Sequence, residues 1–296
     1  MKRLKRVTVV GVGLIGGSLA MALRRSGVAS SVVGVDRDAQ ALERAVAMGV
    51  IDSAAASPAE GARGADLVVA AVPVRAMGSV LREAGRALEP GAAITDVGST
   101  KGEVVRIARE ELRGAFPRFV PGHPIAGRET SGVEASAADL FKGARIVLTP
   151  SAETAPDALE IVRGCWEAAG GKVSVLDPAT HDRIFAAVSH LPHLLSFALV
   201  SEIASRPDAA ELLGFAAGGF RDFTRIAASS PEMWRDIALQ NREALLAEID
   251  RYGARLAVFR ELVARGEGPG LERLMTEARN VRHAWGTGAR RGGSTE

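Results

Sequence analysis

One cysteine, Cys165, stands among 296 residues, so no intrachain disulfide can form and a cysteine-built zinc site is argued against. It lies beside Trp166 in an amphipathic stretch, where a small buried side chain is the expected role. Charge of one sign is also missing: the formal net charge is only +2. No Lys/Arg block exceeds a few residues, so nucleic acid is not an implied partner. No lysine follows Lys172, which leaves the C-terminal part without a lysine base. Beyond the N-terminus, no stretch is read as the roughly 18–20 charge-free apolar residues of a membrane helix. A cytoplasmic protein without a membrane partner is therefore expected.

What is present begins at Val7. A β-branched run, Val7 to Val10, feeds Gly11-Val12-Gly13-Leu14-Ile15-Gly16; an apolar helical segment follows to Arg25. A second β-branched run, Val32 to Val35, ends in Asp36. This order is that of a dinucleotide-binding βαβ unit. Gly11 permits the tight turn, Gly13 lets backbone approach a pyrophosphate, and Gly16 lets the helix lie close to the sheet. Asp36 is placed to accept both ribose hydroxyls and to repel a 2′-phosphate, which favours NAD over NADP. Arg37 softens that preference, because a cation there could meet a 2′-phosphate. Leu14, Ile15 and Val72 complete the expected cofactor-facing set. The basic residues before Val7 imitate a signal peptide, but its interrupting glycines and its change of period from 2 to 3.6 argue against one.

Further along, Asp38 is placed to cap a helix running to about Met48. Asp66 to Val72 reads as a strand buried on both faces, and further strands are expected at Ala92–Val97, 118–120, Arg145–Leu148 and Lys172–Leu176. From Pro178 the apolar period becomes helical throughout. Long helices are expected from His181 to Ser205, bent at Pro192, from Pro231 to about Arg265, and from Leu271 to Trp285. The expected fold is an N-terminal Rossmann-type, doubly wound parallel α/β sheet followed by an all-α domain. Its expected division is 1–177, 178–285 and a disordered tail, 286–296. Ala186 to Ile203 is apolar on nearly every side and must be buried all round. A helical domain of this size lacks that depth, so a homodimer interleaving these helices is expected.

Three clusters carry more polar detail than packing requires. The first is Asp96-Val97-Gly98-Ser99-Thr100-Lys101-Gly102, at a strand end that should face the ligand crevice. Ser99 is placed there to cap the next helix and to touch a ligand. The second is Pro121 to Gly132, in which His123 lies between Gly122 and Pro124 with its backbone constrained on both sides. The third pairs Ser189-His190-Leu191-Pro192-His193 with Gly218 to Arg225. Two histidines three apart could share a metal, though no HExxH or carboxylate partner accompanies them, and none is expected. Arg221 and Arg225 share a helical face, suited either to a ligand carboxylate or to a solvated salt-bridge surface.

Together the stretches GVGLIGGSLA, DVGSTKG, GHPIAGRETSGVEAS, HDRIFAAVSHLPHLLSFAL and GGFRDFTRIAASSPEMWRDI resemble the prephenate dehydrogenase family, which includes arogenate and cyclohexadienyl dehydrogenases. The resemblance implies a Rossmann domain, a helical dimerisation domain, a nicotinamide cofactor and an oxidative decarboxylation of prephenate to 4-hydroxyphenylpyruvate in tyrosine biosynthesis. It implies that His123 accepts the proton of the substrate's C4 hydroxyl and that Ser99 shares this contact. By the same resemblance Arg225 binds a substrate carboxylate, and His193 and His190 line the pocket. Gly218, Asp222 and Trp234 fall in the matched pocket segment, and Glu129 matches an acid near the pocket mouth. Arogenate remains an alternative substrate, alone or with prephenate. A β-hydroxyacid or imine reductase would want a lysine base in the helical part, which is absent. A nucleotide-binding protein without catalysis would not need Ser99, His123 and Arg225 together.

Overall fold

The computed structural model describes residues 3–128 and 130–291. Four fully buried strands form the middle of the first sheet: β1 (Val7–Val10), β2 (Val32–Val35), β4 (Leu67–Ala70) and β5 (Ala93–Asp96). Two short ones, β3 (Ser53–Ala54) and β6 (Phe119–Val120), close its edges. The order is β3-β2-β1-β4-β5-β6, with every pairing parallel. Helices α1 (Leu14–Arg25), α2 (Ala39–Ala47), α3 (Pro58–Ala62), α4 (Val74–Arg86) and α5 (Gly102–Leu112) make the crossovers. Alternate strand residues serve opposite faces. Val7, Val9 and Val69 join a core with Leu19, Leu23 and Trp166, whereas Val10 and Val68 join Met77, Leu81 and Phe119. Burial on both sides explains why these strands read as continuous apolar runs. Each buried Val, Leu or Phe contributes about 1.5–3 kcal/mol.

The chain order reverses between β1 and β4, so the crevice of a doubly wound sheet opens beyond the ends of those strands. A second sheet, not expected as a separate body, follows: β7 (Gly122–Pro124), β8 (Arg145–Leu148) and β9 (Lys172–Val175). In it β7 runs antiparallel to β8, and β8 parallel to β9. Pro121 is the reason, because it has no N–H to continue the ladder. The next amide, Gly122 N–H, donates to Asp96 Oδ1 (3.0 Å) instead, and the chain leaves the first sheet. Helix α6 (Pro156–Ala168) packs Cys165 and Trp166 into the core, and burial pushes the Cys165 thiol up to about 12.

Past Pro178 the described chain is helical: α7 (Pro178–Phe185), a π-helical turn (Ala186–His190), α8 (Leu191–Ala204), α9 (Ala209–Gly214), α10 (Gly218–Thr224), α11 (Pro231–Gln240), α12 (Arg242–Ala264) and α13 (Gly268–Arg291). The chain forms two compact units, Met1–Arg242 and Glu243–Glu296. Helices α7 to α11 belong to the first unit because they bond directly to its α/β part, as Thr100 Oγ1 does to Gln240 Oε1 (2.8 Å). The long helix foreseen from Pro231 is broken at Asn241, whose backbone leaves the helical region and whose side chain serves other groups. The tail expected to be disordered is helical through Arg291, and residues 292–296 lie outside the described residues.

The expectation about membrane length also fails. Pro178–Ala204 is a 27-residue helical run with a mean hydropathy of 1.6, long and apolar enough to cross a bilayer by length and composition. It nevertheless carries buried His181, Asp182 and His190, each hydrogen-bonded to protein groups. Within one chain this apolar run is not covered on all sides: Val188 is 67% exposed and Leu194 37%.

Candidate active site

The glycine turn at the end of β1 has the geometry its sequence implies. Gly11 has φ +96°, and a Cβ on it would lie 2.2 Å from Ala71 O at the end of β4. A Cβ on Gly16 would lie 2.1 Å from Gly11 O and 2.8 Å from Val9 Cγ1, so only glycine lets α1 come this close. Gly13 differs: no heavy atom lies within 4 Å of its Cβ position. That open space, at a helix start with no side-chain cap, suits an approaching phosphate. Asp36 follows β2 and its carboxylate is fixed by Val12 N–H (2.9 Å) and Asp38 N–H (3.1 Å). Val72 borders the Gly11 turn; Leu14 and Ile15 are half-buried in the first turn of α1, and Arg37 is exposed. This end of the crevice fits a dinucleotide.

The other end is braced by a buried ion pair that the sequence reading did not single out. Lys101 and Asp96 are fully buried and bonded through Lys101 Nζ, which also donates to Gly122 O (2.8 Å). Burial lowers the lysine's pKa and Asp96 opposes the shift. Asp96 accepts from Gly98 N–H (2.7 Å) and Gly122 N–H as well. The loop carrying Ser99 is thus tied to the strand carrying His123. Ser99 is not the cap of α5. The amides of Lys101 and Gly102 at the helix start instead donate to the Asp182 carboxylate, 2.8 Å each, from α7.

His123 Nδ1 lies 2.8 Å from His181 Nε2, and His181 Nδ1 lies 2.8 Å from Asp182 Oδ1. Phe185 covers both rings, at centroid distances of 4.8 and 4.5 Å. Burial, then the neighbouring His181, Lys101 and His190, hold His123 well below the usual imidazole pKa. Neither His181 nor Asp182 was expected in the site; the His-Asp pair opening α7 was the only signal.

A second histidine group comes from the π turn and α8. Asn241 Nδ2 donates to Asp182 O (2.8 Å) and lies 3.1 Å from His190 Nδ1. Burial pushes His190 down to about 4. His193 donates from Nδ1 to Ser189 O (2.9 Å) and stacks on Trp234 at 3.6 Å and 19°. Its pKa is lowered by burial and, against the Ser189 bond, by the charge of Arg225. The two histidines thus turn to different partners. Among the described residues, His190 Nε2 and Trp234 Nε1 are buried without a hydrogen-bond partner. Gly218 and Asp222 are exposed on α10, which bonds to α8 through Ser196 Oγ–H to Phe223 O (3.2 Å); no bond described here brings them to His123. Glu129 lies outside the described residues.

A parallel sheet with an open glycine turn at its switch point, followed by helices bearing histidines and an arginine, is the build of a class: nucleotide-dependent dehydrogenases with a helical second part. Comparison with known proteins narrows it. The nucleotide-binding domain of prephenate dehydrogenase matches residues 19–175, and the dimerization domain of prephenate dehydrogenase matches residues 177–277. The chain belongs to the prephenate dehydrogenase family, whose members are oxidoreductases. The cyclohexadienyl dehydrogenase of Zymomonas mobilis is 34% identical over 95% of this chain and 96% of its own length. A crystal structure of prephenate dehydrogenase from A. aeolicus, in complex with hydroxyphenyl propionate and NAD+, has a TM-score of 0.88 and 38% identity, covering 95% of this chain and 98% of that one. The arogenate dehydrogenase of Synechocystis has a TM-score of 0.81 and 32% identity, covering 95% and 99%.

Proposed function

We propose that this protein carries out the NAD-dependent oxidative decarboxylation of prephenate to 4-hydroxyphenylpyruvate, a step of tyrosine biosynthesis, with His123 as the proton acceptor. The observation that carries the reading is His123 itself. Its ring is fixed at 2.8 Å from His181 and its pKa is depressed, so a neutral imidazole is present throughout the neutral range. The C4 hydroxyl of the substrate gives its proton to His123, with Ser99 on the adjoining loop sharing the hydroxyl contact. When bound, the nicotinamide supplies the hydride acceptor, and CO₂ leaves as the ring becomes aromatic. Asp36, fixed at the end of β2, supports NAD over NADP, since its charge opposes a 2′-phosphate.

The substrate is an anion, and the pocket side offers donors. Asn241 donates to His190 Nδ1, which leaves the proton of neutral His190 on Nε2. His190 Nε2–H and Trp234 Nε1–H are thus buried donors in want of acceptor oxygens, and Arg225 adds charge beside His193. Gly218, Asp222 and Glu129 are kept as pocket residues on the family resemblance alone. Arogenate is the second reading, favoured by the likeness to the Synechocystis enzyme. NADH or NADPH formation with each substrate and each cofactor, run in parallel, tests both readings; no turnover of either substrate overturns them. A homodimer through the helical part is supported by exposed Val188 (67%) and Phe215 (85%) and by the family's dimerization domain. Light scattering giving a monomer mass would refute it. The cytoplasmic assignment rests on the sequence reading.

A further inference from the structure

His123 has two ring nitrogens, and a neutral imidazole has only one lone pair available to take a proton. Its Nδ1 faces His181 Nε2 at 2.8 Å, so one of these two nitrogens holds the hydrogen between them. The choice is made one bond further back. His181 Nδ1 meets Asp182 Oδ1 at 2.8 Å. Asp182 also receives the Lys101 and Gly102 amides, one on each oxygen, at the positive end of α5. Although burial opposes its charge, the bonds from His181 and these amides hold its pKa below the usual carboxylate range. An ionised carboxylate only accepts. His181 therefore donates from Nδ1, its Nε2 is bare, and the hydrogen between the rings belongs to His123 Nδ1.

We propose that His181 and Asp182 are positioning residues that lock His123 in its Nδ1–H tautomer, so that Nε2 is always the nitrogen that accepts the substrate proton. The inference rests on His123 being the base. In the step itself the hydroxyl O–H bond breaks, an N–H bond forms at His123 Nε2, and Nδ1 keeps its hydrogen against His181. No proton needs to reach Asp182. The pair is shielded for this role: His181 is 0% exposed and Phe185 packs on both rings. The charged and titratable groups facing it are Lys101, Asp96, Asp182 and His190. Asn241 holds the backbone carbonyl of Asp182 from α11, fixing the carboxylate's approach (2.8 Å).

The test uses the full chain labelled with ¹⁵N-histidine, in which only five histidines need assignment. Nitrogen chemical shifts should give His123 as the Nδ1–H tautomer in the unaltered protein. His181→Leu should release that preference and lower kcat at least about 10-fold, with KM for substrate and cofactor unchanged; losing the base itself costs roughly 10²–10⁴-fold. His181→Gln, whose amide oxygen can accept from His123 Nδ1–H, should recover most of kcat. An Nε2–H tautomer in the unaltered protein overturns the proposal, as does His181→Leu with normal kcat. Should His181→Leu fail to fold, the tautomer and the His181→Gln rates still decide. His123→Asn in the same assay keeps the two readings apart: near-normal turnover there removes the base, whereas a loss there beside an active His181→Leu removes only the positioning pair.

Discussion

At the glycine turn, the bond that fixes the acid at the end of β2 joins Asp36 to Val12, only 24 positions apart. Around His123 the bonds reach much further: 58 positions to His181, 81 from Lys101 to Asp182, and 140 from Thr100 to Gln240. The first region is one supersecondary unit, shaped by backbone freedom and close packing. The second is stitched from two sheets and the helices α5, α7 and α11, and most of its polar groups are buried against one another, His190 Nε2 and Trp234 Nε1 being left without a partner. A local site tolerates loss of a side chain by changing ligand preference. A stitched site answers the same loss with misplaced chemistry or an unpaired buried group.

The comparison is open to direct attack. The largest effect is expected from His123→Asn, with kcat falling roughly 10²–10⁴-fold in NADH-formation kinetics while the fold persists. Next comes Lys101→Met, which strands Asp96 as an unpaired buried charge. Urea denaturation should register a loss of about 3–5 kcal/mol, much of it regained on adding Asp96→Asn; unchanged stability would mean that the buried pair does not brace the loop.

Acid should weaken the same region. His190 has a folded pKa of about 4 against about 6.5 unfolded, so the unfolded chain takes up the proton first as pH falls. Stability is complete above about pH 6.5 and drains as pH falls towards about 4, by up to roughly 3 kcal/mol. His190→Gln should flatten that part of the stability profile. Arg225 is exposed, so its replacement by Ala is expected to raise KM about 10- to 100-fold, the 1.5–3 kcal/mol of a hydrogen bond to a charged group, with little change in stability. An unaltered KM would remove Arg225 from the site. The smallest effect belongs to the local region: Asp36→Ser should move the NAD/NADP preference about 10-fold towards NADP without altering Tm. An unchanged ratio would mean that Asp36 does not meet the ribose.

Much of this architecture was legible in the chain, because strands buried on both faces leave continuous apolar runs and Gly16 answers a steric demand from Gly11 and Val9 within the same unit. His123 was legible by its place between Gly122 and Pro124. The second sheet was not, since β7 is three residues long and contains a proline. Nor was α9, a six-residue helix ending in a glycine. Ser99 was read as the cap of α5 because a hydroxyl near a helix start usually serves it. Here a carboxylate 81 positions later does so.

Sequence alone determined the sheet, the nucleotide turn and the family, and marked His123 as a candidate, since each depends on periodicity or on neighbours along the chain. The fold decided which groups became buried partners: Lys101 with Asp96, His181 with Asp182, and Asn241 with both Asp182 and His190. The reason lies in solvation. A charged or polar side chain has the same chemistry wherever it occurs in a sequence, but its pKa, tautomer and partner are fixed only when folding removes water from around it.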